Sequence, residues 1–244
     1  MTIRRFADRD DLIAGAADDV AALVHEAVAA RGVFRVALAG GTTPLPLYQR
    51  LTTTALPWDL VELWFADERA VPPEDPASNY QMARVALLDL VGASARARVR
   101  RVQGELAPAS AAEVYEHELV RTLGVPPRLD LVLLGLGTDG HTASLFPRSP
   151  ALTETARWVV ATPGPLPGDL RITLTPRTIG AARHVRFLVS GASKADVLAE
   201  VLEGPHDPDR LPAQLIATAD TDVSWFVDEA AAARLRRTSA SHLP

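Results

Sequence analysis

The chain contains no cysteine, only one lysine, few aromatic residues and no apolar run near the ~20 residues that a membrane-spanning helix requires. Without cysteine there can be no disulfide, no thiolate nucleophile and no cysteine zinc site, a composition that suits the cytosol. Met1 to Asp11 is charged rather than apolar, so no signal peptide is apparent and a soluble, cytoplasmic protein without membrane contact is expected. The net charge of -5 and the scattering of arginines among acids argue against a nucleic-acid surface. A small anionic substrate would need only a local basic pocket. Of 25 basic residues, 24 are arginine and one is Lys194. One retained lysine suggests either a site where a compact ammonium is preferred to a planar guanidinium or chance survival.

What is present is an alternation of helical and strand patterns without repeats, low-complexity tracts or a long linker. That alternation predicts an α/β fold, a mostly parallel Rossmann-like sheet with helices on both faces. At 244 residues a single domain spanning 1–244 is expected, with a small subregion around residues 150–180. Asp8 to Arg31 is a long amphipathic helix ended by Gly32, with Leu12, Ala16, Val20, Leu23, Val24 and Val28 on its apolar face. Strands are expected at Val33 to Ala39, Leu60 to Ala66, Leu129 to Leu134, Arg157 to Thr162, Leu170 to Leu174, His184 to Val189 and Val223 to Val227. Helices are expected at Pro44 to Thr52, Ser78 to about Leu90, Ala109 to Leu123, Ser193 to Leu202 and, at the terminus, Asp228 to Arg237. Thr162 to Pro167 and Gly204 to Pro212 keep no period and are expected as loops.

The stretch Gly135-Leu136-Gly137-Thr138-Asp139-Gly140-His141 places a histidine and an aspartate on a glycine-rich turn directly after an almost wholly apolar strand. His141 should therefore sit at a carboxyl end of the sheet, where α/β enzymes keep their chemistry. Gly40-Gly41-Thr42-Thr43-Pro44 follows the first expected strand and opens a helix. Its N–H groups and hydroxyls can face an anion, or Thr42 or Thr43 can simply be the N-cap. Asp67-Glu68-Arg69 follows the apolar Leu63-Trp64-Phe65-Ala66, and Arg69 in a shaped loop there could grip a phosphate. Ser78-Asn79-Tyr80 is first a helix cap. Ser190-Gly191-Ala192-Ser193-Lys194 is a third strand-to-helix turn and carries the lysine. Three such turns at one sheet edge would surround a phosphate with N–H groups and two cations.

Gly135 to Gly140 also satisfies G-x-G-x-x-G, but Asp139 would set negative charge near a pyrophosphate and Pro147 cuts short a following helix, so no nucleotide cofactor is expected. His25, His117, His184, His206 and His242 are expected in surface or structural roles. Their spacing supports no metal site, and no G-x-S-x-G elbow is present.

Taken in order from residue 39 to 213, Ala39 to Pro44, Phe65 to Pro72, Ser78-Asn79-Tyr80, Gly135 to Pro147, Arg171 to Thr175, Ser190 to Lys194 and Leu211-Pro212-Ala213 resemble the 6-phosphogluconolactonase family. Asp139 to Pro147 and Asp67-Glu68-Arg69 are the most specific parts. The resemblance implies hydrolysis of 6-phosphoglucono-δ-lactone, the second step of the oxidative pentose phosphate pathway, and a fold shared with glucosamine-6-phosphate deaminase. The deaminase pattern continues from Asp-Gly-His into Asn-Glu-Pro. Leu145-Phe146-Pro147 carries no carboxylate there.

Lactone opening needs a base for the attacking water, and His141 fits it because an imidazole titrates near neutral pH. Asp139 or Asp67 would orient the ring or the water, and glycine N–H groups of the same turn would meet the oxyanion. Gly40, Gly41, Thr42, Thr43, Arg69, Arg171 and Lys194 form the expected substrate-binding set, with no metal. The expected partner is the sugar-phosphate lactone alone, acted on by a monomer or weak homodimer. The rival from another class is a non-catalytic sugar-phosphate sensor, but no helix-turn-helix segment precedes residue 33.

Overall fold

The computed structural model describes residues 1–92, 98–219 and 221–236. Thr2–Phe6 forms strand β1, followed by helix α1, Arg9–Arg31. The Asp8 carboxylate caps α1 by accepting the Asp11 N–H at 2.9 Å, and Gly32, at φ 73°, ends it in the left-handed conformation that glycine adopts without strain. Then come β2 Phe34–Leu38, α2 Leu45–Leu51, β3 Val61–Phe65, β4 Asp67–Arg69, α3 Asn79–Ala83 and α4 Pro108–Leu123. The chain continues through β5 Leu131–Leu134, β6 Val159–Pro163, β7 Leu170–Leu174, α5 Pro176–Gly180, β8 His184–Val189, α6 Ala195–Glu203, α7 Ala213–Ala217 and β9 Asp222–Asp228.

Six strands form one sheet in the order β1-β9-β8-β5-β2-β3, and every neighbouring pair in it is parallel. All residues of β3 and β5 are buried, so both faces of the sheet are covered there, as an apolar parallel strand requires. The α1 residues Leu12, Ala16, Val20, Leu23 and Val24 are buried in the same connected cluster. Phe187 on β8 and Trp225 on β9 stack with ring centroids 3.8 Å apart. The order also places β2, β5 and β8 side by side. Their three following turns therefore emerge at one carboxyl edge, which is how the fold positions the site. Among the described residues no helix is long and apolar enough to cross a membrane.

The small subregion expected around 150–180 is an antiparallel sheet, β4-β7-β6, to which residues 67–69 contribute a strand rather than a loop. Three polar residues in a row carry no apolar alternation, so nothing local marks them as a strand. β1 was likewise not expected, because an edge strand carrying Arg4 and Arg5 is almost wholly exposed and shows no buried face. The helix expected from Ser78 to Leu90 is α for only one turn and then becomes π-helical over Arg84–Leu88. The strand expected from Arg157 begins at Val159 and runs to Pro163, into the segment expected as a loop. At the carboxyl terminus Asp228 completes β9, and Ala231–Arg234 is a short 3-10 turn rather than a longer helix. Arg237 and His242 lie outside the described residues.

Candidate active site

A cavity of about 350 Å3 opens at the carboxyl edge of the sheet. Gly40 to Pro44 after β2, Gly135 to Gly137 and His141 to Ala143 after β5, and Lys194 after β8 all line it, together with Asp67, Arg69 and Arg171 from the antiparallel sheet. Every expected binding residue thus faces one space. Of the three expected catalytic residues, His141 and Asp67 line the cavity, and Asp139 stands behind the histidine.

His141 Nδ1 lies 2.5 Å from Asp139 Oδ1, which also accepts the His141 backbone N–H at 3.2 Å. Burial pushes the Asp139 carboxyl up, but its hydrogen bond and charge interaction with His141 outweigh that penalty and hold it below the ordinary carboxylate range. The alternative partner is engaged elsewhere. Asp67 Oδ2 accepts from Ser144 Oγ at 2.6 Å and Oδ1 from Asn79 Nδ2 at 3.1 Å, so it ties the His141 turn to α3. The turn is closed by Gly137 N–H donating to the His141 carbonyl and Gly140 N–H to the Gly137 carbonyl. Those two amides, expected as oxyanion donors, are consumed inside the turn.

The amides of Gly41, Thr42 and Thr43, by contrast, meet no acceptor among the described residues. They are free for a ligand. Helix α2 begins only at Leu45, with Pro44 as its N-cap and no side-chain cap, which replaces the reading of Thr42 or Thr43 as N-cap. Gly40 is required sterically, because a Cβ there would run into the Asn79 side chain.

The three cations differ in their state. Lys194 has no ion-pair partner among the described residues, and burial lowers its pKa, partly offset by the charge of Asp139. Arg69 donates one guanidinium N–H to the Ala77 carbonyl, while its buried Nε has no partner. Arg171 is already gripped by both oxygens of Asp169, at 2.8 and 2.6 Å. β4 and β7 set Arg69 directly opposite Arg171, a like-charge pairing that a sheet disfavours unless an anion offsets it. The β8 turn offers its lysine but not its Gly191 amide, which donates to Asp228 at 3.0 Å. The expected ring of N–H groups from all three turns therefore loses those of Gly137, Gly140 and Gly191, while the β2 turn keeps its own.

Sequence reasoning left Phe146 and Glu68 without roles. The Phe146 ring lies 4.7 Å from His141 and under Arg171, and it lines the cavity beside the histidine. Buried Glu68 accepts from Arg69 N–H, Asn79 N–H, Tyr80 N–H and Ser78 Oγ, so it holds α3 against β4. Ser78 does cap α3, as expected, through Gln81 N–H at 3.2 Å. Burial was the missing signal for Glu68, since in sequence it is one acid among thirty.

Residues 7–225 match the family described as glucosamine-6-phosphate isomerases/6-phosphogluconolactonase. The chain is 42% identical over 218 residues to a 6-phosphogluconolactonase of Synechocystis, covering 87% of this chain and 89% of that protein. It is 39% identical over 238 residues to one of Nostoc, covering 96% and 98%. The solved 6-phosphogluconolactonase of Trypanosoma brucei superposes with a TM-score of 0.85 at 30% identity, covering 96% of this chain and 98% of that one.

Proposed function

Because the chain belongs to the glucosamine-6-phosphate isomerase/6-phosphogluconolactonase family, we propose that it is a lactone hydrolase that opens 6-phosphoglucono-δ-lactone to 6-phosphogluconate. One observation carries the reading: the cavity that holds the Asp139-paired His141 also holds the two cations, Arg69 and Lys194, that lack ion-pair partners among the described residues. A base and an anion-binding group in one cavity are what a phosphorylated lactone needs.

In this mechanism the free amides of Gly41, Thr42 and Thr43, with Gly40 leaving room beside them, bind the phosphate together with Arg69 and Lys194. Arg171 completes the binding set from its seat on Asp169. Binding energy from the phosphate, remote from the reacting carbon, holds C1 in register. His141, its Nδ1 turned to Asp139, takes a proton from water at Nε2 as the water oxygen attacks C1. The bond from C1 to the ring oxygen then breaks, and the imidazolium returns the proton to the departing hydroxyl. The acid formed ionises in neutral solution. Asp67 supports the site through Ser144 and Asn79 rather than through the ring.

Phe146 favours the lactonase over an amino-sugar isomerase, because an apolar ring stands against His141 where that chemistry would use a carboxylate. The reaction is the second step of the oxidative pentose phosphate pathway, carried out in the cytoplasm by a monomer or weak homodimer.

The test generates the δ-lactone in situ from glucose 6-phosphate and follows acid release with wild type and with His141→Ala. Wild type should accelerate opening, and the variant should be slower by about 10²–10⁴ with its fold intact. No acceleration by wild type above the spontaneous rate would sink the reading; an unchanged rate in the variant would remove His141 from it.

A further inference from the structure

We propose that Asp228, at the carboxyl end of β9, is a positioning residue that sets where Lys194 reaches into the cavity. The inference rests on the functional reading above for its kinetic readout and on geometry for its substance.

Lys194 is the cavity cation with the least to hold it. Its ammonium has no ion-pair partner among the described residues, and a lysine side chain is a flexible four-carbon stem. Its position is therefore inherited from its backbone. That backbone hangs on Gly191, whose carbonyl accepts the Lys194 N–H at 3.0 Å. Gly191 stands at φ 96°, a conformation open to glycine and not fixed by any side chain of its own. Something else must fix it.

Asp228 supplies that restraint. It is buried, with 4% of its surface exposed, and its carboxylate is shared between this turn and the start of the segment that follows β9. Its Oδ2 accepts from Ser190 Oγ at 2.5 Å and from Gly191 N–H at 3.0 Å, while Oδ1 accepts from Ala231 N–H at 2.7 Å. A rigid sheet terminus thereby grips both residues of the hinge, and the hinge grips Lys194. The arrangement parallels the Asp67 tie to Ser144 on the neighbouring β5 turn. Each of these two turns of the cavity is clamped by a buried carboxylate from another strand, β9 for the one and β4 of the antiparallel sheet for the other.

If Asp228 acts through Lys194, loosening it should weaken phosphate binding and spare the chemical step. Asp228→Ala and the milder Ser190→Ala, made in the full chain, should raise KM for the lactone about tenfold, roughly the worth of one hydrogen bond, with kcat changed less than about threefold. Titration calorimetry with inorganic phosphate should show a similar loss. In a Lys194→Ala background neither substitution should weaken phosphate binding further, because the residue they position is gone. Equal losses in both backgrounds, kcat falling in step with KM, or no phosphate binding by wild type would each overturn the assignment. Should Asp228→Ala fail to fold, Ser190→Ala carries the same comparison. Coupled phosphate binding without any lactone turnover would retire the functional reading and leave Asp228 in place; turnover with phosphate binding indifferent to Asp228 would do the reverse.

Discussion

Asp139 Oδ1 sits 2.5 Å from His141 Nδ1, and the space for that pair exists because residue 137 has no side chain. A Cβ on Gly137 would strike both the imidazole and the carboxylate. The glycine of the turn is thus a steric condition for the acid–imidazole contact, and not only a means of bending the chain.

Gly137→Ala should displace the ring while leaving the sheet untouched. A misplacement near 1 Å is expected to lower kcat about 10²-fold. Steady-state kinetics beside a thermal melt decide it, and full kcat in a folded variant would show that the ring has another productive seat.

Asp139→Asn should fix the wrong tautomer of His141 and lower kcat by up to about 10⁴. The stability effect has a definite pH sign. The folded carboxyl titrates below its ordinary 3.8, so it contributes stability that is full above that value and lost as pH falls through the folded one. The melting temperature of wild type should exceed that of the variant near neutrality, and the gap should close in strong acid. A gap that widens on acidification would contradict the sign.

Lys194 trades stability for binding. Burial lowers its pKa, so the folded state holds the proton less tightly than the unfolded chain. The resulting penalty is full below the folded value and disappears as pH rises through the unfolded one. Lys194→Met should therefore melt no lower than wild type in phosphate-free buffer while its KM for the lactone rises. Differential scanning calorimetry at pH 7 tests this, and a lower melting temperature would show that the ammonium is stabilising.

Glu68→Gln should destabilise the fold by about 1–3 kcal/mol, because the amide NH2 faces donors that the carboxylate accepted and at least one buried N–H loses its partner. Urea denaturation measures it. A midpoint unchanged from wild type would mean that water has replaced the lost acceptor.

Much of this site was legible before folding. The apolar β5 followed by Gly135 to His141, the Gly40 to Pro44 turn and the isolated Lys194 each announce themselves by composition and by their place after a strand. What was not legible is which groups remain free. Sequence offered Asp139 and Asp67 equally as partners of His141, and Gly137, Gly140 and Gly191 as amide donors. Bonds inside the His141 turn took the Gly137 and Gly140 amides, Asp169 took Arg171, and partners across the fold took Asp67 and the Gly191 amide, while Gly41, Thr42, Thr43, Arg69 and Lys194 stayed available.

Sequence by itself determined the alternation of helix and strand, the buried centre of the sheet and the residue types at three turns, because hydrophobic period and glycine chemistry are local properties. Tertiary structure alone decided that β2, β5 and β8 are neighbours, that Asp67-Glu68-Arg69 is a strand facing β7, and that Asp228 belongs to the Lys194 turn. Those are pairings between residues up to a hundred positions and more apart. No local pattern encodes them, since they follow from which strands stack in order once the whole apolar surface is buried together.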